Sequence, residues 1–110
     1  LVLSGDDGLT VELVKRGGDG VISVAANSLP ERFCGCVHRA IEGNIATAES
    51  EMVELTTAID LLFKEGNPTG VKSMTAAMGL TRSEVRLPLV EGSMSLMEDI
   101  KSAITKYDLR

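Results

Sequence analysis

Apolar residues in this chain follow two patterns: short unbroken runs near the start, then a three-and-four spacing to the end. Leu1-Val2-Leu3-Ser4 is a run of the first kind, closed by Gly5-Asp6-Asp7-Gly8. It predicts a buried strand followed by a loop. Asp6 or Asp7 is placed to cap the helix outlined by Leu9, Val11, Leu13 and Val14, with Lys15, Arg16 and Gly17-Gly18 as its stop. Residues 20–24 (GVISV) form a second, β-branched run. Two buried strands joined by a short helix make a βαβ unit, so the strands are parallel.

Helical spacing takes over from there. Ser28 and Glu31 have capping-box spacing with Pro30 between them, which predicts a helix to about Glu42, stopped by Gly43. Asn44 caps the next helix, where Ile45, Ala48, Met52, Leu55, Ile59 and Leu62 make one apolar stripe ending near Lys64 and Gly66. Asn67-Pro68 opens another, with Val71, Met74, Thr75 and Met78 inward and Gly79 as its stop. Residues 86–90 (RLPLV) read as an extended connector, in which Arg86 is expected to pair with a carboxylate. Ser95 and Glu98 form a second capping box, opening a last helix with Leu96, Ile100 and Ile104 inward. Met52, Met74, Met78, Met94 and Met97 read mostly as core filling. The order is β-α-β-α followed by three more helices. The βα part (1–42) meets the helical part (43–110) near Gly43.

This pattern sets a physical problem. Parallel strands are normally covered on both faces, and the helices here can cover only one. The other face presents Val2, Val21 and Ile22 to water, with two open strand edges. The chain therefore needs either the rest of a barrel or copies of itself. It also opens on Leu1, without a Met and directly on a strand, which reads as a cut through a larger protein.

Composition narrows the chemistry. A chain of 110 residues is one ordinary domain in length. Its net charge of -5 and 3% aromatic content exclude a basic or base-stacking nucleic-acid surface. No apolar run approaches the ~20 residues of a membrane span. Cys34 and Cys36 sit two apart on a predicted helix and point away from each other. They read as free thiols of a reducing, cytoplasmic setting, and no secretory leader precedes them. His38 has no second ligand in sequence reach, so no metal is expected. The glycines of GGDG do not form a G-x-G-x-x-G fingerprint, so no dinucleotide cofactor is expected. The adjacent carboxylates Asp6 and Asp7 could serve as an acid–base pair, but turn and cap duty is the favoured reading.

The segments LSGDD (3–7), GGDGVISVAAN (17–27), GNPTGVK (66–72) and RLPLV (86–90) resemble, in order and spacing, the C-terminal part of the dihydrodipicolinate synthase family. More broadly they are similar to the pyruvate-dependent class I aldolases that include N-acetylneuraminate lyase. The resemblance covers essentially the whole chain. It implies an α/β fold, with residues 1–42 as the last two βα units of a (β/α)8 TIM barrel. Residues 43–110 are then a three-helix C-terminal extension. A complete barrel needs ~250 residues, so this chain is expected to be a fragment, left by proteolysis or truncation.

The chemistry implied is a Schiff base between a barrel lysine and pyruvate, proton relay by a tyrosine, and condensation with aspartate semialdehyde in lysine biosynthesis. The family carries that lysine and tyrosine upstream of the position of Leu1. None of Lys15, Lys64, Lys72, Lys101 or Lys106 matches the lysine by position, nor does Tyr107 match the tyrosine. No catalytic residue is therefore expected in this chain, and alone it should be inactive. What carries over is the rim of the pyruvate pocket: Gly5 and Ile22 against pyruvate, with Asp6, Ser23 and Val24 beside them. The sialic-acid lyases place an acidic residue where Gly8 stands and a Ser where Val24 stands, so a small aldehyde is favoured over a sugar acid. A sugar-acid aldolase of the N-acetylneuraminate lyase kind is the alternative enzyme reading. A non-catalytic, self-associating module is the alternative of another class. The expected partners are pyruvate and a small aldehyde in the parent enzyme, the missing barrel segment, and further copies in a homo-oligomer. No cofactor is implied.

Overall fold

The computed structural model describes residues 1–109. Its elements are β1 (Leu3–Ser4), α1 (Thr10–Lys15), β2 (Gly20–Val21), a 3-10 turn (Ala25–Asn27), α2 (Pro30–Ile41), α3 (Ile45–Lys64), α4 (Thr69–Ala77) and α5 (Met94–Tyr107). The order matches the one predicted. The chain divides into two compact units, Leu1–Thr56 and Thr57–Arg110, and α3 runs through the division.

In the first unit β1 and β2 pair in parallel, Leu3 opposite Gly20 and Ser4 opposite Val21. The ladder closes with Asp19 N–H donating to Val2 O (2.8 Å) and Ile22 N–H donating to Ser4 O (2.9 Å). β2 is shorter than the predicted five-residue run. After Ile22 the backbone bends into the 3-10 turn, which Ser23 caps by accepting from Ala26 N–H at 2.9 Å. Val11, Ala25, Leu29, Phe33 and Val37 are buried as α1 packs on the strand pair and α2 packs on α1 and the 3-10 turn. Val2, Leu3 and Ile22 remain exposed.

The expected capping box of α2 does not form. The Ser28 hydroxyl donates to Ala25 O (3.3 Å), because the preceding 3-10 turn claims it, and Leu29 takes the cap position without a side-chain bond. At the far end Gly43 adopts φ 92°, and Asn44 N–H reaches back to Arg39 O at 2.8 Å. A left-handed residue is what this closure needs, and glycine supplies it without a Cβ clash. The chain then returns along α3. Arg39 and Arg32 of α2 pair with Glu51 and Glu54, and Lys15 of α1 pairs with Glu49.

The two cysteines are free thiols in different settings, Cys36 buried and Cys34 half-buried. The Cys36 thiol donates to Ala48 O of α3 at 3.2 Å. Burial, reinforced by the Glu51 carboxylate, pushes it from 9.0 up to about 11. The folded state therefore holds this proton where the unfolded chain has lost it. Stability should fall as pH climbs from about 9 to about 11, by roughly 2 kcal/mol. Urea midpoints across that range should show the loss in the native chain and a smaller one in Cys36→Ala.

The second unit is built from the end of α3 with α4 and α5. Ile59, Leu62, Met74, Leu96, Ile100 and Ile104 are buried, each on the face its spacing predicts. Met94 departs from that pattern at 83% exposure, because it opens the helix ahead of Leu96, the first residue of the buried face. The cap of α5 is Ser93, two residues before the Ser95 expected for it. Ser93 Oγ accepts from Leu96 N–H (3.1 Å) and donates to Glu65 Oε2 (2.5 Å), while its N–H donates to Glu65 Oε1 (2.9 Å). These bonds hold the Glu65 carboxyl below its ordinary value. Ser93→Ala should cost about 1 kcal/mol in urea unfolding. Arg86 does not pair as expected: it is exposed, and among the described residues it makes no ion pair. Its backbone carbonyl instead accepts from Leu89 N–H at 3.0 Å, closing a turn in the connector.

Candidate functional site

Parallel pairing sends both strands out in the same direction, so the residues that follow β1 and β2 become neighbours. The chain leaves β1 through Gly5-Asp6-Asp7 and leaves β2 through Ile22-Ser23-Val24. The first loop is folded on itself by Ser4. Its hydroxyl donates to Asp6 O (2.7 Å) and accepts from Asp6 N–H (3.1 Å), and Thr10 Oγ1 also donates to Asp6 O (3.1 Å).

The two adjacent carboxylates have separate duties. Asp6 is exposed and accepts from Leu9 N–H at 3.2 Å, ahead of α1. Asp7 is only 2% exposed. Its carboxylate accepts from the Ser23 hydroxyl, from Val24 N–H (3.2 Å) and from Ala25 N–H (3.0 Å). Asp6 thus serves the turn ahead of α1, while the cap expected of Asp6 or Asp7 falls to Leu9, which takes that position without a side-chain bond. Asp7 instead ties the loop after β1 to the loop after β2, a role the sequence reading missed. The available signal was the parallel pairing itself, which makes the two loops adjacent.

The remaining rim candidates divide in the same way. Gly5 is exposed, and nothing lies within 4 Å of where a Cβ would stand. Ile22 is 71% exposed. Ser23 and Val24 are half-buried and committed to Asp7. Gly5 and Ile22 are therefore the open surface at the strand ends, and Ser23 and Val24 are its support. Beside β2, an open groove of about 490 Å³ runs between Val21 and Ile22 on one side and Phe33, Val37 and Ile41 of α2 on the other.

Among the described residues no lysine amine stands at these strand ends. All five lysines lie on helices, and Lys15 and Lys64 pair with Glu49 and Asp99 at 3.0 and 3.1 Å. The Glu49 pairing raises the Lys15 amine above its ordinary value, opposite to the direction a Schiff-base nucleophile requires. Tyr107 ends α5, where hydrogen bonds from Thr57 and then Lys106 lower its hydroxyl. His38 is exposed on α2, and among the described residues no group of three metal-binding side chains converges. No described helix is long and apolar enough to cross a membrane.

Comparison with known proteins agrees with this geometry. The model of the dihydrodipicolinate synthetase family matches residues 1–107. The chain is 38% identical over 109 residues to a 4-hydroxy-tetrahydrodipicolinate synthase of Phocaeicola vulgatus, covering 99% of this chain and 37% of that protein. It is 42% identical over 106 residues to the synthase of Cytophaga hutchinsonii, covering 96% and 36%. The crystal structure of dihydrodipicolinate synthase from Thermotoga maritima matches with a TM-score of 0.96 at 34% identity, over 100% of this chain and 37% of that one. The chloride-inhibited synthase of Acinetobacter baumannii, solved with pyruvate, matches with a TM-score of 0.93 at 32% identity, over 99% and 38%. The chain thus spans a little over a third of the length of these relatives. Its two βα units and helices are a portion of their TIM-barrel architecture. Matched along nearly its whole length, the chain belongs to the dihydrodipicolinate synthetase family.

Proposed function

We propose that this chain supplies the rim of the pyruvate pocket of a Schiff-base aldolase that condenses pyruvate with aspartate semialdehyde. Residues 1–42 are the last two βα units of the barrel and 43–110 its helical extension. Active sites of such barrels open at the C-terminal ends of the strands. The observation that carries the reading is the pair of exposed strand ends, Gly5 and Ile22, which directly follow the paired residues Ser4 and Val21. Gly5 leaves room for a ligand against its backbone, and Ile22 closes the opposite side. Asp6, Ser23 and Val24 complete the rim. The amine that forms the Schiff base and the tyrosine that relays protons come from barrel segments outside this chain, so the isolated chain binds no pyruvate covalently. The parent works in the cytoplasm as a homo-oligomer. Gly8 and Val24 offer no side-chain partner to sugar hydroxyls, which favours a small aldehyde over a sugar acid.

A chimera tests this: residues 1–107 replace the matching segment of the Thermotoga maritima synthase. It should turn over pyruvate with aspartate semialdehyde faster than it cleaves keto-deoxy sugar acids, and Ile22→Asp or Gly5→Val should raise KM for pyruvate. A folded chimera that prefers sugar acids, or whose pyruvate KM ignores both substitutions, would sink the proposal.

A further inference from the structure

We propose that Asp7 is a positioning residue for the pyruvate rim: its buried carboxylate clamps the two strand-end loops so that Gly5 and Ile22 keep a fixed spacing. This rests on the pocket-rim reading above. Two cross-links bound the rim. Below it, the last ladder bond runs from Ile22 N–H to Ser4 O at 2.9 Å. Above it, Asp7 accepts from Ser23 Oγ–H, Val24 N–H and Ala25 N–H. Gly5 and Asp6 lie on one limb between these cross-links, and Ile22 on the other. The limbs and the two cross-links form a closed ring, and the rim positions are inside it.

A two-residue parallel pair has little ladder to hold its own end. Without the carboxylate, the loop after β1 keeps only its internal bonds through Ser4 and Thr10. The loop after β2 keeps the cap that Ser23 places on Ala26. Each loop stays folded, but among the described residues no hydrogen bond within either loop sets the distance between them beyond Ser4. Three donors on one buried carboxylate is also more than turn duty asks, since Asp6 already serves α1. An Asn at this site keeps the bridge: its oxygen accepts from the two amides, and its NH2 donates to Ser23 Oγ. An Ala removes it.

The test has two readouts. In the chain itself, amide hydrogen exchange at Ile22 should be about tenfold faster in Asp7→Ala, with α2 amides still protected, near native in Asp7→Asn, and intermediate in Ser23→Ala. If Asp7→Ala does not fold, Ser23→Ala carries the comparison. Unchanged Ile22 exchange in a folded Asp7→Ala or in Ser23→Ala overturns the clamp. In the chimera, Asp7→Ala should raise KM for pyruvate about tenfold with a smaller change in kcat, and Asp7→Asn should restore it. A KM that responds to Ile22→Asp but not to Asp7→Ala overturns the positioning role. A KM that responds to neither overturns the rim reading on which it rests.

Discussion

Gly70→Ala should lower the stability of the chain by about 3 kcal/mol, the upper end of what overpacking costs. The first turn of α4 crosses the end of α3 so closely that a Cβ on Gly70 would stand 1.9 Å from the carbonyl oxygen of Leu62. The obstacle is backbone, which no rotamer change relieves. Helix propensity alone favours Ala over Gly by about 1 kcal/mol, so the sign of the result separates the two effects. Gly35→Ala on α2 is the control. Its Cβ would meet only the Arg39 guanidinium, at 2.9 Å, and that flexible end can move. Urea unfolding should show a lower midpoint for Gly70→Ala and a change within about 1 kcal/mol for Gly35→Ala. A native or raised midpoint for Gly70→Ala would mean that the crossing of α3 and α4 is looser than described.

Phe33→Ala should cost about 3–5 kcal/mol. Phe33 is 1% exposed and is among the largest fully buried side chains, on the helix that packs against α1 and the 3-10 turn. Truncation removes a fully buried ring and leaves a cavity where those elements meet. Ile22→Ser, just past β2 in the same unit but 71% exposed, should change stability by no more than about 0.5 kcal/mol. The contrast tests which face of the sheet is core. Thermal or urea unfolding in which Ile22→Ser destabilises as much as Phe33→Ala would show that the open face is packed in solution, by another copy of the chain.

The helices were legible because their burial is internal. Ala48, Met52, Leu55, Ile59 and Leu62 are all buried on one stripe of α3, as are Leu96, Ile100 and Ile104 on α5. The three-and-four spacing reports that burial directly. The strands were legible as runs but not in length: a residue is strand only where a neighbour pairs with it, and pairing ends at Ile22 N–H. Cap motifs misled for a related reason. Ser28–Glu31 and Ser95–Glu98 have the right spacing, yet a competing turn claims Ser28, while α5 takes its cap two residues early, at Ser93. Arg86 carries no carboxylate partner among the described residues, although its charge suggested one. At the site, parallel pairing alone brings Gly5 and Ile22 together, whereas the role toward pyruvate proposed for them comes from resemblance. Asp7 was the residue least visible in sequence. Its partners lie 16 to 18 positions away, and no local pattern marks a carboxylate that bonds across two loops.

On the proposed function this chain carries the pocket rim but not the amine that does the chemistry, and incubation with pyruvate and borohydride followed by intact-mass spectrometry decides it. No adduct should form on the 110-residue chain, and in the chimera the adduct should lie outside residues 1–107. A reduced pyruvate adduct on Lys15, Lys64, Lys72, Lys101 or Lys106 of the isolated chain would contradict it.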